Sequence, residues 1–293
     1  MKAIIFLECK DGSPIGAALE LVSAAAAVGA EALPVTVSAP EGYLYEDAVS
    51  EAVSAKAKAE DAALVLLAAT PTGKLVAPRI AERLGAGSVN DAIEIAADGG
   101  KFTVVRPVYG GTIRETLDIC TDKAVISVRG GSYDAPAEVP AAEELSADLS
   151  GGACAKVVEA IAEAGAAVNL EDAKVIVTGG RGMGSPENFA LCEELAEVLG
   201  GVVGATRPAI ESGWAGRTHQ VGQSGKIVAP DIYIACGVSG ATQHVSGIMG
   251  SKYIIAINKD ADAPIFSIAD VGIVGDVKQI LPLMISEFKN RKA

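Results

Sequence analysis

Positive charge, histidine and paired cysteine are scarce in this chain. Its 293 residues include 24 lysines and arginines against 37 acidic residues, a formal net charge of −13, and only two histidines. Binding along a nucleic-acid backbone depends on lysine and arginine facing phosphates, so nucleic acid is not an expected partner. Two histidines cannot build a histidine-rich metal site, and the five cysteines (Cys9, Cys120, Cys154, Cys192, Cys236) contain no C-x-x-C pair. The expectation is no metal centre and no disulfide framework, only reduced and mostly buried thiols. No secretory leader is expected either: MKAIIFLECKDG carries Glu8 and Lys10 where an apolar core would run, and the longest uncharged apolar run, AALVLLAATPTG, is too short for a bilayer. The chain reads as cytoplasmic, with no integral membrane segment.

What is present is an α/β rhythm, in a chain that is 50% apolar and long enough for two cores. KAIIFLE reads as a strand, and SPIGAALELVSAAAAVGA as a helix with Ser13 at the N-cap and Pro14 at the first position. ALPVTVSA, EDAVSEAVSAKAKAE, ALVLLAA and KLVAPRIAERLG continue as strand, helix, strand and helix, the order of an open parallel sheet. After Gly85, AIEIAA, KFTVVRPVYGG, TIRETLDIC and KAVISVRGG read as short antiparallel strands closing the domain at a sheet edge. Residues 133–172 begin acidic and rich in proline and alanine, which places a junction near residue 165 between an N-terminal α/β domain (1–165) and a second domain (166–293).

The second half restarts the rhythm with AKVIVTGG, PENFALCEELAEVLG, VVGATR, KIVAPDIYIACG, QHVSGIMGS, YIIAINKD, DVGIVGD and VKQILPLMISEFK. Two doubly wound, three-layer αβα domains are the expected fold class.

Between the strand AKVIVTGG and its helix lies TGGRGMGSPENF. Its glycines permit close backbone approach to a ligand, Ser185 and Pro186 suit an N-cap and first helical position, and a helix start offers N–H groups to a pyrophosphate. Arg181 would add a charge-assisted bond. The spacing G-G-x-G-x-G departs from the dinucleotide fingerprint G-x-G-x-x-G, and where NAD enzymes carry an acidic ribose ligand stands Arg207 in GATRP. That arginine suits the extra phosphate of NADP or another electron-rich group.

HQVGQSGKIVAPDIYIACGVSGATQH holds two more glycine-rich turns, the second at the carboxyl end of a strand, where open α/β sheets gather ligands. Taken singly, His244 reads as a satisfied, partly buried histidine, and Gln223 and Ser224 as turn residues. Three such turns on one edge suit a long, flat dinucleotide.

Together these motifs, with QVGQSGKIVAP, YIACGVSGATQH, AINKDADAPIF and ADVGIVGD in order, resemble the α subunit of electron-transfer flavoproteins over residues 173–276. RPVYGG and its neighbouring strands extend the likeness weakly into the first half. The resemblance implies a Rossmann-like, FAD-binding second domain. It places Arg181 and Gly182 at the pyrophosphate loop and Thr206 with Arg207 beside the flavin. Val221, Gly222, Gln223 and Ser224 would follow the ring edge. Ser239, Gly240, Ala241, Thr242, Gln243 and His244 would run along the flavin and ribityl chain, and Asn258, Asp276 and Val277 would complete the site. Two positions depart from the family's usual residues, Ser224 for threonine and Thr206 for serine, and both keep a hydroxyl.

The family moves electrons rather than transforming a metabolite. Arg207, Ser224 and His244 are therefore expected to act on the flavin: Arg207 as a cation favouring reduction, Ser224 near N5, His244 as a donor, even an imidazolium, to a pyrimidine oxygen. At ~4 Å and an effective dielectric of ~20, the arginine's attraction is ~4 kcal/mol, roughly 170 mV for a one-electron couple before desolvation. The resemblance also implies a smaller β subunit carrying AMP, or a second FAD where NADH drives electron bifurcation. Flavin dehydrogenases and an electron acceptor are the implied redox partners. An NADP-dependent oxidoreductase and a non-redox nucleotide-binding module remain as rival readings.

Overall fold

The computed structural model describes residues 1–149, 155–159 and 170–292. The chain divides into two compact units, Met1–Ala164 and Gly165–Ala293, and the junction expected near residue 165 lies outside the described residues.

In the first unit β1 (Lys2–Phe6) is followed by a two-residue-strand hairpin, β2 (Cys9–Lys10) against β3 (Ser13–Pro14). Asp11 and Gly12 take φ of 52° and 79°, the left-handed pair that an Asp-Gly hairpin turn needs. The expected helix start at Ser13 is therefore displaced, and α1 (Gly16–Ala27) begins after Ile15. Then come β4 (Glu31–Ser38), α2 (Tyr45–Ala59), β5 (Leu64–Ala68) and α3 (Pro71–Leu84). α3 starts ahead of its apolar run because the Thr70 hydroxyl accepts from Gly73 N–H at 2.9 Å.

The rest of this unit departs from the sequence reading. β6 (Gly87–Ala92) is a strand it missed. β7 (Glu94–Asp98), β8 (Lys101–Val108) and β9 (Ile113–Ile119) form a separate antiparallel sheet. β10 (Ala124–Val128), expected at an antiparallel edge, pairs in parallel with β5 and β6 inside the main sheet, all five of its residues buried. β11 (Glu143–Ser146), taken as junction, adds in parallel to β4, and Glu143 meets Lys56 at 2.7 Å. Charge on an outer strand guards it against edge-to-edge pairing. The main sheet runs β11-β4-β1-β5-β10-β6. Alternation sends Ile5, Leu66 and Ile126 to a face covered by α1 and the antiparallel sheet, and Ile4, Val65 and Leu67 to a face covered by α2 and α3. Each such buried side chain contributes about 1.5–3 kcal/mol.

The second unit begins with β12 (Val175–Gly179), α4 (Pro186–Leu199), β13 (Val202–Ala205) and α5 (Arg207–Glu211). β14 (Ile232–Cys236), α6 (Thr242–Val245), β15 (Tyr253–Asn258), β16 (Val271–Val274) and α7 (Val277–Lys292) complete it. All neighbours in the order β13-β12-β14-β15-β16 are parallel. Val177, Ile234 and Ile257 pack under α4 and α7. Ile176, Tyr233 and Ala256 pack under loop residues, among them Val221, Val238, Ile248 and Ile265. Both units are thus α/β with parallel sheets flanked by helices, the fold class read from the sequence. Among the described residues no helix is long and apolar enough to cross a membrane. Cys192 and Cys236 are buried, whereas Cys120 is exposed and Cys9 half-buried, so the expectation of mostly buried thiols holds for two of these four, and Cys154 lies outside the described residues.

Candidate functional site

The strand order of the second unit reverses direction between β12 and β14, and a crevice outside the carboxyl ends of strands at such a point is where α/β sheets hold ligands. Two glycine turns meet there. Gly180 N–H donates to Cys236 O and Gly182 N–H to Gly237 O, each at 2.9 Å. A Cβ on Gly180 or Gly182 would stand 2.4 or 2.6 Å from Gly237 O, and Gly237 has a φ of +63°. The glycines are thus required for the two loops to pack on each other. Gly180, Gly182 and Gly237 also line the cleft, so the close approach of the two loops adds to the ligand approach read from the sequence. Ser185 does cap α4, accepting from Asn188 N–H at 3.3 Å, but the start of α4 takes no part in the cleft wall.

The loops wall a cleft of ≈ 730 Å³, within the range of organic-ligand sites. Among the residues singled out from sequence, Arg181, Gly182, Thr206, Arg207, Val221, Gly222, Gln223 and Ser224 line it. So do Ser239, Ala241, Gln243, His244, Asn258, Asp276 and Val277. Gly240 and Thr242 do not. Gly240, at φ +87°, faces the other way, where a Cβ would come within 2.2 Å of Ile265 N, and Thr242 opens α6 exposed to solvent. Gln220, Lys259 and Asp260 also line the cleft and were missed. For the last two a signal existed: the Asn-Lys-Asp run directly after an apolar strand.

The side chains differ in what they still have to offer. Thr206 is 6% exposed, and its buried hydroxyl has no hydrogen-bond partner among the described residues. A hydroxyl so placed carries a desolvation cost of about 1–3 kcal/mol until something bonds to it. Ser224 Oγ accepts from the buried Gln220 amide at 3.0 Å, which leaves the serine proton to donate. Asn258 is engaged with its own chain: Nδ2 donates to Val238 O at 2.8 Å and Oδ1 accepts from Asp260 N–H at 3.0 Å. Asp276 Oδ1 accepts from Lys278 N–H at 3.0 Å at the start of α7.

Arg207 and His244 correct the sequence reading. Arg207 Nε donates to Glu211 at 2.7 Å, with 67% of its side chain exposed, so solvent and a carboxylate reduce its field well below the ceiling given above. His244 is 7% exposed, with Nδ1 3.1 Å from Val221 O and Nε2 3.0 Å from the Tyr233 hydroxyl. A carbonyl only accepts, so Nδ1 carries the proton and Nε2 accepts from Tyr233. Burial pushes the imidazole down to about 4, outweighing the upward pull of the Val221 carbonyl. The imidazolium donor read from the sequence is therefore a neutral ring at physiological pH, with both nitrogens engaged.

Residues 169–249 match the electron transfer flavoprotein FAD-binding domain, and residues 12–150 match the electron transfer flavoprotein domain. The chain is 42% identical over 260 residues to the electron transfer flavoprotein subunit alpha of Thermoanaerobacterium thermosaccharolyticum, covering 86% of this chain and 77% of that one. The corresponding subunit of Megasphaera elsdenii is 43% identical over 270 residues, with 85% and 80% covered. Protein FixB of Clostridium saccharobutylicum is 39% identical over 283 residues, with 94% and 84% covered. The matched FAD-binding stretch contains the Gly180–Gly182 turn, Thr206, the 220–224 loop and His244, and with identity at this level running through both units the chain belongs to the electron transfer flavoprotein α-subunit family.

Proposed function

We propose that this chain is the FAD-bearing subunit of an electron carrier. It takes electrons from flavin dehydrogenases, of the acyl-CoA type or linked to NADH, and passes them to a quinone, ferredoxin or other acceptor. It works as a heterodimer with a β subunit that holds AMP or a second FAD. The observation that carries this reading is the buried, unpartnered Thr206 hydroxyl in a cleft at the strand-order reversal, inside the stretch that matches an FAD-binding domain.

The chemistry of the wall suits FAD. The N–H groups of Ser239 and Ala241 bond to no protein acceptor among the described residues, and with Arg181 they form a donor set for the pyrophosphate. Thr206 and Ser224 offer hydroxyls to a polar ring edge, and Asn258 and Asp276 border the remainder of the dinucleotide. When bound, FAD supplies the one- and two-electron couple, and the protein holds it, excludes water and sets the local field. Arg207, Arg181 and Lys259 bring positive charge to the wall. The rival NADP-dependent oxidoreductase gains no support, because His219 Nδ1 meets Val203 O and His244 meets Tyr233 and Val221, so among the described residues neither histidine is paired with a carboxylate.

The test is co-expression with the β subunit, followed by spectral measurement of flavin and release of the bound nucleotides. One FAD with AMP supports a simple carrier, two FAD per dimer support NADH-driven bifurcation, and a folded complex without flavin overturns the reading. In the loaded complex, Arg207→Ala lowers the flavin potential by less than the ~170 mV ceiling. An unchanged potential at full occupancy removes Arg207 from that role.

A further inference from the structure

Gln220 is a buried glutamine, 7% exposed, in the wall of the cleft. Burying an amide costs about 1–3 kcal/mol for each polar group left without a partner. Among the described residues this one makes a single side-chain bond, from Nε2 to Ser224 Oγ at 3.0 Å. The side chain is not what holds the loop. Gln220 O accepts from Lys226 N–H at 2.8 Å, Val221 N–H donates to Ala205 O at 2.9 Å, and Gly222 N–H donates to Lys226 O at 3.0 Å. A Cβ on Gly225 would stand 2.4 Å from Gln220 O and 2.9 Å from Gln220 Cγ, so the glycine lets the turn close over the glutamine and bring Ser224 to its amide.

The pair also stands between two spaces. A second cavity of ≈ 270 Å³ is lined by Arg207, Ile210, Glu211, Arg217, Gln220 and Ser224, so Gln220 and Ser224 belong to the walls of both. A serine hydroxyl has one proton and can turn it to either side. On the side of the second cavity the arginines only donate, and the carboxylate, Glu211, already takes a bond from Arg207 Nε at 2.7 Å.

We propose that Gln220 is a positioning residue that sets the direction of the Ser224 hydroxyl. Its amide N–H donates to Oγ, so the serine proton is turned to the ligand cleft, and a ligand edge there meets a donor. With the amide reversed, its oxygen would take the serine proton and Ser224 would face the ligand as an acceptor. A hydrogen bond from a donor strengthens as its acceptor gains negative charge. The pair therefore favours the reduced state of a flavin edge placed against Ser224. That last step rests on the FAD reading, whereas the direction of the bond between Gln220 and Ser224 is a property of this chain alone.

The experiment follows the Gln220 side-chain amide by proton–nitrogen NMR in the full chain with its β subunit, before and after FAD is added. The expected amide proton exchanges slowly with solvent, and Ser224→Ala removes that protection even without FAD. Protection that ignores Ser224→Ala, as a reversed amide would show, overturns the proposal. In the loaded complex, Gln220→Leu is expected to cut the preference for reduced over oxidised FAD about tenfold, about 59 mV for a one-electron couple. Because Gln220 acts through Ser224, the double variant should shift the potential no further than Ser224→Ala does alone. Additive shifts, or an unchanged potential in a folded Gln220→Leu protein, overturn it. If Gln220→Leu does not fold, Gln220→Met replaces it with the same expectations, and the amide readout in Ser224→Ala decides where neither folds. A complex that binds no FAD refutes the carrier reading, and the amide readout then decides the direction of the bond by itself.

Discussion

Thr70 and Thr206 each stand just beyond the carboxyl end of a parallel strand, one in each unit, and their hydroxyls are treated differently. Thr70 donates to Glu8 at 2.6 Å and accepts from Gly73 N–H at 2.9 Å, so its own chain uses it twice. Glu8 follows β1, and the order of the first sheet reverses between β1 and β5. The chain's own carboxylate and helix cap therefore occupy the place where a ligand would sit. Tyr45 is drawn into this arrangement, its hydroxyl pushed up to about 12 by burial and then by the negative charges of Glu8 and Cys9. In the second unit Thr206 keeps an unused hydroxyl in a cleft of ≈ 730 Å³. The same wound-sheet design serves as scaffold where its polar groups are satisfied internally, and as receptor where they are left over.

The severest way to break this comparison is at the glycines. A Cβ on Gly73 would stand 1.8 Å from Ala68 O, and one on Gly237 would stand 2.8 Å from Gly182 C at a positive φ. Both Gly73→Ala and Gly237→Ala should cost about 3 kcal/mol or more in urea unfolding. Flavin content per folded molecule should fall only for Gly237→Ala, and a loss of flavin in Gly73→Ala would show that the first unit is no mere scaffold.

Next in size is the acid response. With His244 held near 4 in the fold against 6.5 unfolded, the unfolded chain binds the extra proton between those values. Stability is thus fully present above about pH 6.5 and lost as pH falls toward 4, by up to about 3 kcal/mol. His244→Gln should flatten that limb of the urea midpoint against pH. A limb of unchanged slope would place the acid sensitivity elsewhere.

Smaller effects separate the two threonines. Thr206→Val should leave the FAD-free protein as stable or slightly more so, yet weaken FAD binding about tenfold, ~1.4 kcal/mol, by titration calorimetry. Thr70→Ala should show the reverse, about 1 kcal/mol of lost stability and unchanged FAD affinity. If the pair responds alike, the contrast between scaffold and receptor fails.

Much of the architecture could be read from the sequence because continuous apolar runs such as LVLLA and IYIAC are buried on both sides of a parallel sheet. The misses share a cause: a local signal with two meanings. Ser-Pro suits a helix start or a hairpin strand, and the Asp-Gly before it held the deciding information. β6 and β11 (GSVNDA and EELS) are polar edge strands, whose residues satisfy edge chemistry and so resemble loops. β10 was recognised as a strand, but its place between β5 and β6 depends on long-range pairing that periodicity cannot encode. In the second unit, most residues picked out by motif order line one cleft, while their bonding depended on partners distant in sequence. Glu211 tempers Arg207, Tyr233 occupies His244, and the Gly180–Gly182 turn closes on Gly237.

The wall of the second unit that is built from loops sets the order in which its parts let go. Between residues 220 and 250 the one helix is the four-residue α6 and the one strand is β14, and many of the remaining amides are held in single turns or by isolated bonds such as Val228 N–H to Gly247 O at 2.8 Å. Such a wall opens at a fraction of the global unfolding free energy, whereas α4 and α7 exchange their amides only with the whole unit. A ligand at a hundred times its Kd adds about 2.7 kcal/mol to that opening. The wall is therefore both the entry route for the ligand and the segment whose amide exchange slows most once the ligand is held.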